Sequence, residues 1–258
     1  MKVLKFKLSG ETAFFKKPDV NTFIYFTYGC IHKVALLGLF GAIVGYKGYN
    51  ELELRKKINK NCKDLYPEFY EKLKDLKVSI EPLNEEAVIN KKVQIFNNSV
   101  GYASKEIGGN LIVKEQWLEN PKWNIYLLID NDEAEKVSEY LLNNKAVYQP
   151  YLGKNDHYAN ISEVELLDDC IKVSNVSRIN SLCFRDEVSL EMPDIDLSLD
   201  FEDDEVKDIF KYCEKLPYKL NEETSLYEVR SFVFSNMDVR ELKSDYVYRV
   251  KDKNIVFF

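Results

Sequence analysis

The sequence predicts an α+β protein, with a sheet backed by helices in residues 1–165 and a smaller β-rich lobe over 166–258. Three observations lead there. The opening residues MKVLKFKLSG alternate apolar and charged side chains. An uncharged apolar run from Val34 to Tyr46 then carries three glycines. After about residue 165 helical patterns become scarce, and the chain closes on two short apolar runs around Asp252-Lys253.

The elements follow in order. Leu4, Phe6 and Leu8 alternate with Lys5 and Lys7, as in a half-buried strand, and the Ser-Gly after them is a turn. A polar loop through Lys16, Lys17 and Pro18 leads to IHKVALLGLFGAIVGYKGY. That run is too apolar for a surface helix and too short to span a membrane, which takes about 18 or more residues. It predicts a buried helix over 31–46, with Gly38, Gly41 and Gly45 on a side where backbone approaches closely. Residues 65–76 suit an amphipathic helix with Leu65, Phe69, Leu73 and Leu76 on one face, inside a lysine-rich helical region near 55–77. Strand-like runs lie at 76–81, 92–97, 111–117 and 123–129. The Asn-, Ser- and Gly-rich FNNSVGYASKEIGGN between the middle two reads as a hairpin tip. Asn131-Asp132 caps a helix over 132–143. Strand–helix, strands, then a helix returning to the sheet is the order of a ferredoxin-like or RRM-like layer. An acidic linker near 191–205 and a final hairpin, Tyr246–Lys251 with Asn254–Phe258, belong to the second lobe.

Charge is unevenly placed. Of the net −7, residues 1–110 hold 18 Lys/Arg against 12 Asp/Glu, whereas residues 111–258 hold 18 against 31. Such asymmetry fits a polyanion held by the first half and repelled by the second, or simply an acidic solvated surface beside a lysine-rich helix. Five scattered cysteines form no C-x-x-C clip, and an odd number with no leader pattern suggests free thiols in a reducing, cytoplasmic setting. No Walker loop, H-E-x-x-H or nucleophile elbow is present, so neither a metal nor another cofactor is expected.

Three clusters offer chemistry. Thr27, Tyr28, His32 and Lys33 gather at the start of the buried helix, where amides and the helix dipole favour phosphate; the same residues also read as a plain N-cap with a lysine reaching solvent. Tyr151, Gly153, Lys154, Asn155 and His157 combine stacking faces, a close backbone approach and charge, or form an ordinary interdomain turn. Asn98, Tyr102, Lys105 and Lys114 join flexibility to charge on the hairpin, which can equally be a solvated tip. With Lys16 and Lys17, these are the candidate RNA contacts.

Three segments resemble a known family. KFKLSGETAFFKKPDVNTFIYFTYGCIHKVALLGLFGAIVGYKGY, QIFNNSVGYASKEIGGNLIVKEQWLENPKWNIYLLI and NNKAVYQPYLGKNDHYANI are similar to the Cas-five family of CRISPR-associated proteins in its type I-B form. The resemblance implies an RRM-like fold with a thumb-like hairpin. It also implies a scaffold role, without catalysis, at the 5′ handle of the crRNA in an antiviral Cascade complex. The implied partners are the crRNA, the backbone subunit and the large subunit, with target DNA, if met, reached through the complex and no membrane. The alternative is a metal-independent endoribonuclease of the type I-C kind, with His32 and Lys33 as a base–cation pair. Adjacent helical residues point about 100° apart, which weighs against that pair converging on one phosphate.

Overall fold

In the computed structural model the described residues are 1–19, 23–60, 62, 64–191 and 209–258. Most of the acidic linker, including Asp203, Asp204 and Glu205, lies outside them. The opening alternation builds β1 (Lys2–Ser9), with Leu4, Phe6 and Leu8 buried on one side. A two-residue β2 (Thr12–Ala13) precedes α1 (Lys33–Val44), α2 (Tyr49–Ile58) and α3 (Glu68–Leu73). Next come β3 (Val78–Pro82), β4 (Lys91–Asn97), β5 (Ile112–Glu119), β6 (Lys122–Ile129), α4 (Asp132–Leu142) and β7 (Asn160–Leu167).

The central sheet has the order β3-β6-β1-β7, every neighbouring pair antiparallel. One face packs on α1 and α4: Phe6 meets Phe40 edge-on at 6.1 Å, and Ile125, Leu127, Val137 and Leu141 join the same core. Burying a side chain such as Phe6 is worth roughly 1.5–3 kcal/mol. Gly41 is the close-approach point expected of the apolar helix, because a Cβ there would stand 2.5 Å from Phe69 of α3. Gly45 ends α1 with φ 86°, the left-handed geometry that glycine adopts without strain.

The rest of the chain supplies β8 (Ile171–Lys172), β9 (Cys183–Phe184), β10 (Val188–Leu190), β11 (Lys211–Leu220), β12 (Tyr227–Ser235), β13 (Val239–Leu242), β14 (Val247–Val250) and β15 (Lys253–Val256). The closing hairpin β14–β15 forms where the two apolar runs place it. Its Tyr248, Val250 and Ile255 pack with Val3, Tyr126 and Leu128 on the helix-free face of the central sheet. Part of the face that stays open in a one-sided layer is therefore covered. β11 and β12 instead lean on the helical side, where Leu216, Leu220 and Phe232 enter the main core.

The helical region near 55–77 differs from its expectation. Asn59 closes α2, and Pro67, extended at ψ 153°, opens α3 at Glu68. A proline disfavours helical geometry in the residue before it, so no helix runs from 65. Leu65 is exposed as a result, while Phe69, Leu73 and Leu76 are buried.

Candidate nucleic-acid interface

The helix-start cluster is built into the core. The Thr27 hydroxyl accepts from the Phe15 amide at 3.0 Å and donates to the Tyr28 carbonyl at 2.9 Å. His32 caps α1 by accepting from the Ala35 amide through Nδ1 at 3.2 Å. Burial holds its pKa down at about 3, so the ring is neutral at any physiological pH. Lys33 is also buried, with its ammonium 5.0 Å from the centre of the Tyr218 ring and its pKa lowered by burial to about 8. It does not reach solvent.

A phosphate at the amides before the helix would meet a carboxylate already there. The Gly29 amide donates to both Glu214 oxygens, at 3.0 and 2.9 Å, and Tyr212 donates to the same group at 2.5 Å. Lys17 neutralises it from 3.6 Å. The β11 strand thus fills the anion site that the sequence pattern suggests.

Gly153 and His157 likewise serve packing. Gly153 has φ 90°, and a Cβ on it would lie 1.9 Å from the Phe14 carbonyl oxygen. The close backbone approach is to β2's continuation, not to a ligand. His157 is buried, its Nδ1 2.6 Å from the Thr12 hydroxyl and its ring edge-on to Trp117 at 4.5 Å. Lys154 pairs with the buried Glu115 at 3.1 Å and lies 3.5 Å from Asp156. Asn155 and Tyr151 are exposed.

What the fold does assemble is a cleft of about 1100 Å³ along the outer side of α1. His32, Ala35, Leu39 and Ala42 form its helical wall. Lys16 and Tyr25 close one side, the ammonium 3.9 Å from the ring centre. Tyr148, Tyr151, Gly153 and Lys154 close another, and Tyr46, Lys47 and Tyr49 stand at the end of the helix. Tyr227 of β12 completes it, 5.5 Å from His32. Lys47 donates to the Tyr148 hydroxyl at 2.9 Å, a bond that raises its pKa. Burial raises the Tyr49 hydroxyl to about 12, so it stays protonated. A cleft with aromatic walls and a few lysines can stack bases while its cations meet a backbone.

Of the expected contacts, the cleft gathers Lys16, His32, Tyr151, Gly153 and Lys154. Tyr25, Tyr46, Lys47, Tyr49, Tyr148 and Tyr227 were missed. The signal for most of them lies in GYKGYN and AVYQPY, tyrosines beside Gly or Pro turns. Asn98, Tyr102, Lys105 and Lys114 sit apart on the β4–β5 hairpin, all exposed. Among the described residues no group of three or more His, Cys, Asp or Glu side chains is placed to hold a metal ion, and no helix is long and apolar enough to cross a membrane.

No protein-family model matches the chain, and no curated protein does. Solved structures do. A chain of a CRISPR RNA-guided surveillance complex shares the fold with TM-score 0.55 at 12% identity, over 92% of this chain and 91% of that one. A CRISPR protein from Archaeoglobus fulgidus matches at TM-score 0.48 and 11% identity, covering 99% and 98%. A chain of the Type III-B Cmr-beta bound to cognate target RNA and AMPPnP gives 0.44 and 12%, covering 93% and 86%. At such identities the first likeness establishes a shared fold, and the other two add no argument.

Proposed function

We propose that this chain is a scaffold subunit of a CRISPR effector complex of the type I-B Cascade kind, and that it holds the 5′ handle of the crRNA without cutting it. The observation that carries this reading is the aromatic and lysine-edged cleft on a fold shared with a chain of an RNA-guided surveillance complex. The topology supports it. Taking β1, β3, β6 and β7 as first to fourth, with α1 after the first and α4 after the third, the sheet order is second-third-first-fourth. This order is what a ferredoxin-like layer would have, and it supports reading the sheet as the platform of an RRM-like module. In this reading the β4–β5 hairpin is the thumb, and the backbone and large subunits are the protein partners.

A non-catalytic role is supported by the state of His32. Its Nδ1 lone pair is taken by an amide, and Lys33 points to Tyr218, so the two do not form a base–cation pair. The test is handle-RNA binding and cleavage by the assembled complex, with and without divalent metal. Tight binding and intact RNA are expected. Site-specific cleavage by this subunit would overturn the scaffold assignment.

A further inference from the structure

We infer that the cleft beside α1 contains a subsite for one unstacked nucleobase of single-stranded RNA, in which the Nε2–H of His32 donates a hydrogen bond to an acceptor on the base edge. The inference rests on the RNA-binding reading above and adds which part of the RNA this wall meets, a base rather than a phosphate.

The tautomer follows from the cap. A backbone amide only donates, so the nitrogen that accepts from Ala35, Nδ1, carries the lone pair, and the proton resides on Nε2. Among the described residues Nε2 has no hydrogen-bond partner. The ring is 3% exposed yet forms part of the cleft wall. Nε2 is not among the sealed atoms left without a partner, so it is the solvent-reached edge of the ring, and an acceptor on a base can take the place of the water there.

The surroundings choose the ligand. Phe15, Tyr28 and Tyr227 approach the His32 ring edge-on, at 5.9, 5.3 and 5.5 Å. Ala35 and Leu39 continue the wall as apolar surface. The cations nearest in sequence are committed, Lys33 to the Tyr218 ring, Lys17 to Glu214 and Lys47 to the Tyr148 hydroxyl. A phosphate here would lose its hydration against a neutral imidazole and apolar side chains, which is unfavourable. A neutral flat ring with a carbonyl oxygen or ring nitrogen at its edge gains both stacking and the waiting donor.

The experiment uses His32→Asn in the assembled complex, with handle RNAs in which each nucleotide in turn is abasic. Asparagine is among the best N-caps, so α1 keeps its cap while the donor in the cleft disappears. His32→Asn should weaken binding of the full handle about 3- to 10-fold, the effect of one neutral hydrogen bond. That loss should vanish for one abasic RNA and persist for the others. Ala35→Leu, which narrows the cavity without touching the cap, should show the same single-position dependence, so the result does not hang on one variant. Equal loss on every RNA, or no loss on any, would overturn the subsite. A parent complex that fails to bind handle RNA at all would instead overturn the RNA-binding reading beneath it.

Discussion

The α1 cleft and the β4–β5 hairpin are both places where lysine and tyrosine meet, yet they use them in opposite ways. In and around the cleft the cations are already engaged. In its lining Lys154 pairs with Glu115, Lys16 lies over Tyr25 and Lys47 donates to the Tyr148 hydroxyl. Beside it Lys17 pairs with Glu214 and Lys33 lies over Tyr218. On the hairpin, Tyr102 is 79% exposed, and Lys105 and Lys114 have no ion pair among the described residues. A lysine neutralised by its own protein has few counterions to exchange when RNA arrives, whereas a solvated one has a full set. The cleft should therefore contribute shape and stacking, and the hairpin salt-sensitive attraction.

The largest effect expected from this contrast is on folding. Gly153→Ala puts a Cβ against the Phe14 carbonyl at a positive φ, which should cost at least about 2 kcal/mol and lower the urea midpoint clearly. Gly101→Ala, where a Cβ meets open space at the hairpin tip, should leave the midpoint nearly unchanged. Equal midpoints would mean the 151–158 loop is not packed as described. Next in size, Tyr227→Ala should weaken handle binding by about 1–3 kcal/mol with no change in salt slope, because stacking releases no ions. A changed slope there would erase the distinction between the two regions.

Acid should separate them again. With His32 held at about 3 when folded and near 6.5 when unfolded, the unfolded chain binds the extra proton below pH 6.5. Stability from this group is therefore complete above about pH 6.5 and lost as pH falls toward 3, at up to about 1.4 kcal/mol per pH unit. Urea midpoints of the parent and His32→Asn at pH 4.5 and 7.5 check it: the parent should lose more than the variant. Smallest is the salt effect. Lys105→Ala should reduce the magnitude of the log K against log salt slope by about 0.7, and Lys33→Met should leave it alone. If Lys33→Met flattens the slope as much, the buried ammonium reaches the RNA after all.

Much of the fold is legible in the order of residues, and the reason is periodicity. The Leu4-Phe6-Leu8 alternation, the four strand-like runs before residue 130 and the Asn131 cap each carry a local signal, and each falls within a residue or two of its element. The helical region near 55–77 breaks at Pro67, where the apolar spacing of Leu65, Phe69 and Leu73 masks a proline that bars helix before it. The candidate site is legible only as a set of residue types. Tyr151 and Lys16 lie in segments whose composition marks them, whereas Tyr227 stands at the start of β12, far along the chain from both, and nothing local marks its destination.

From its residues alone, this protein is α+β, with a buried glycine-bearing helix after its first strand, a basic first half and no clustered metal-ligand pattern. Those properties follow from the order of apolar and charged side chains within a few turns or one strand, where local physics decides. The tertiary structure decided what the polar residues are for. It gave Thr27, Lys33, Gly153 and His157 to packing, put the Glu214 carboxylate where a phosphate was expected, and brought β12 across to close the cleft with Tyr227. A polar side chain's role is set by which partner satisfies it, and here those partners come from strands distant in sequence.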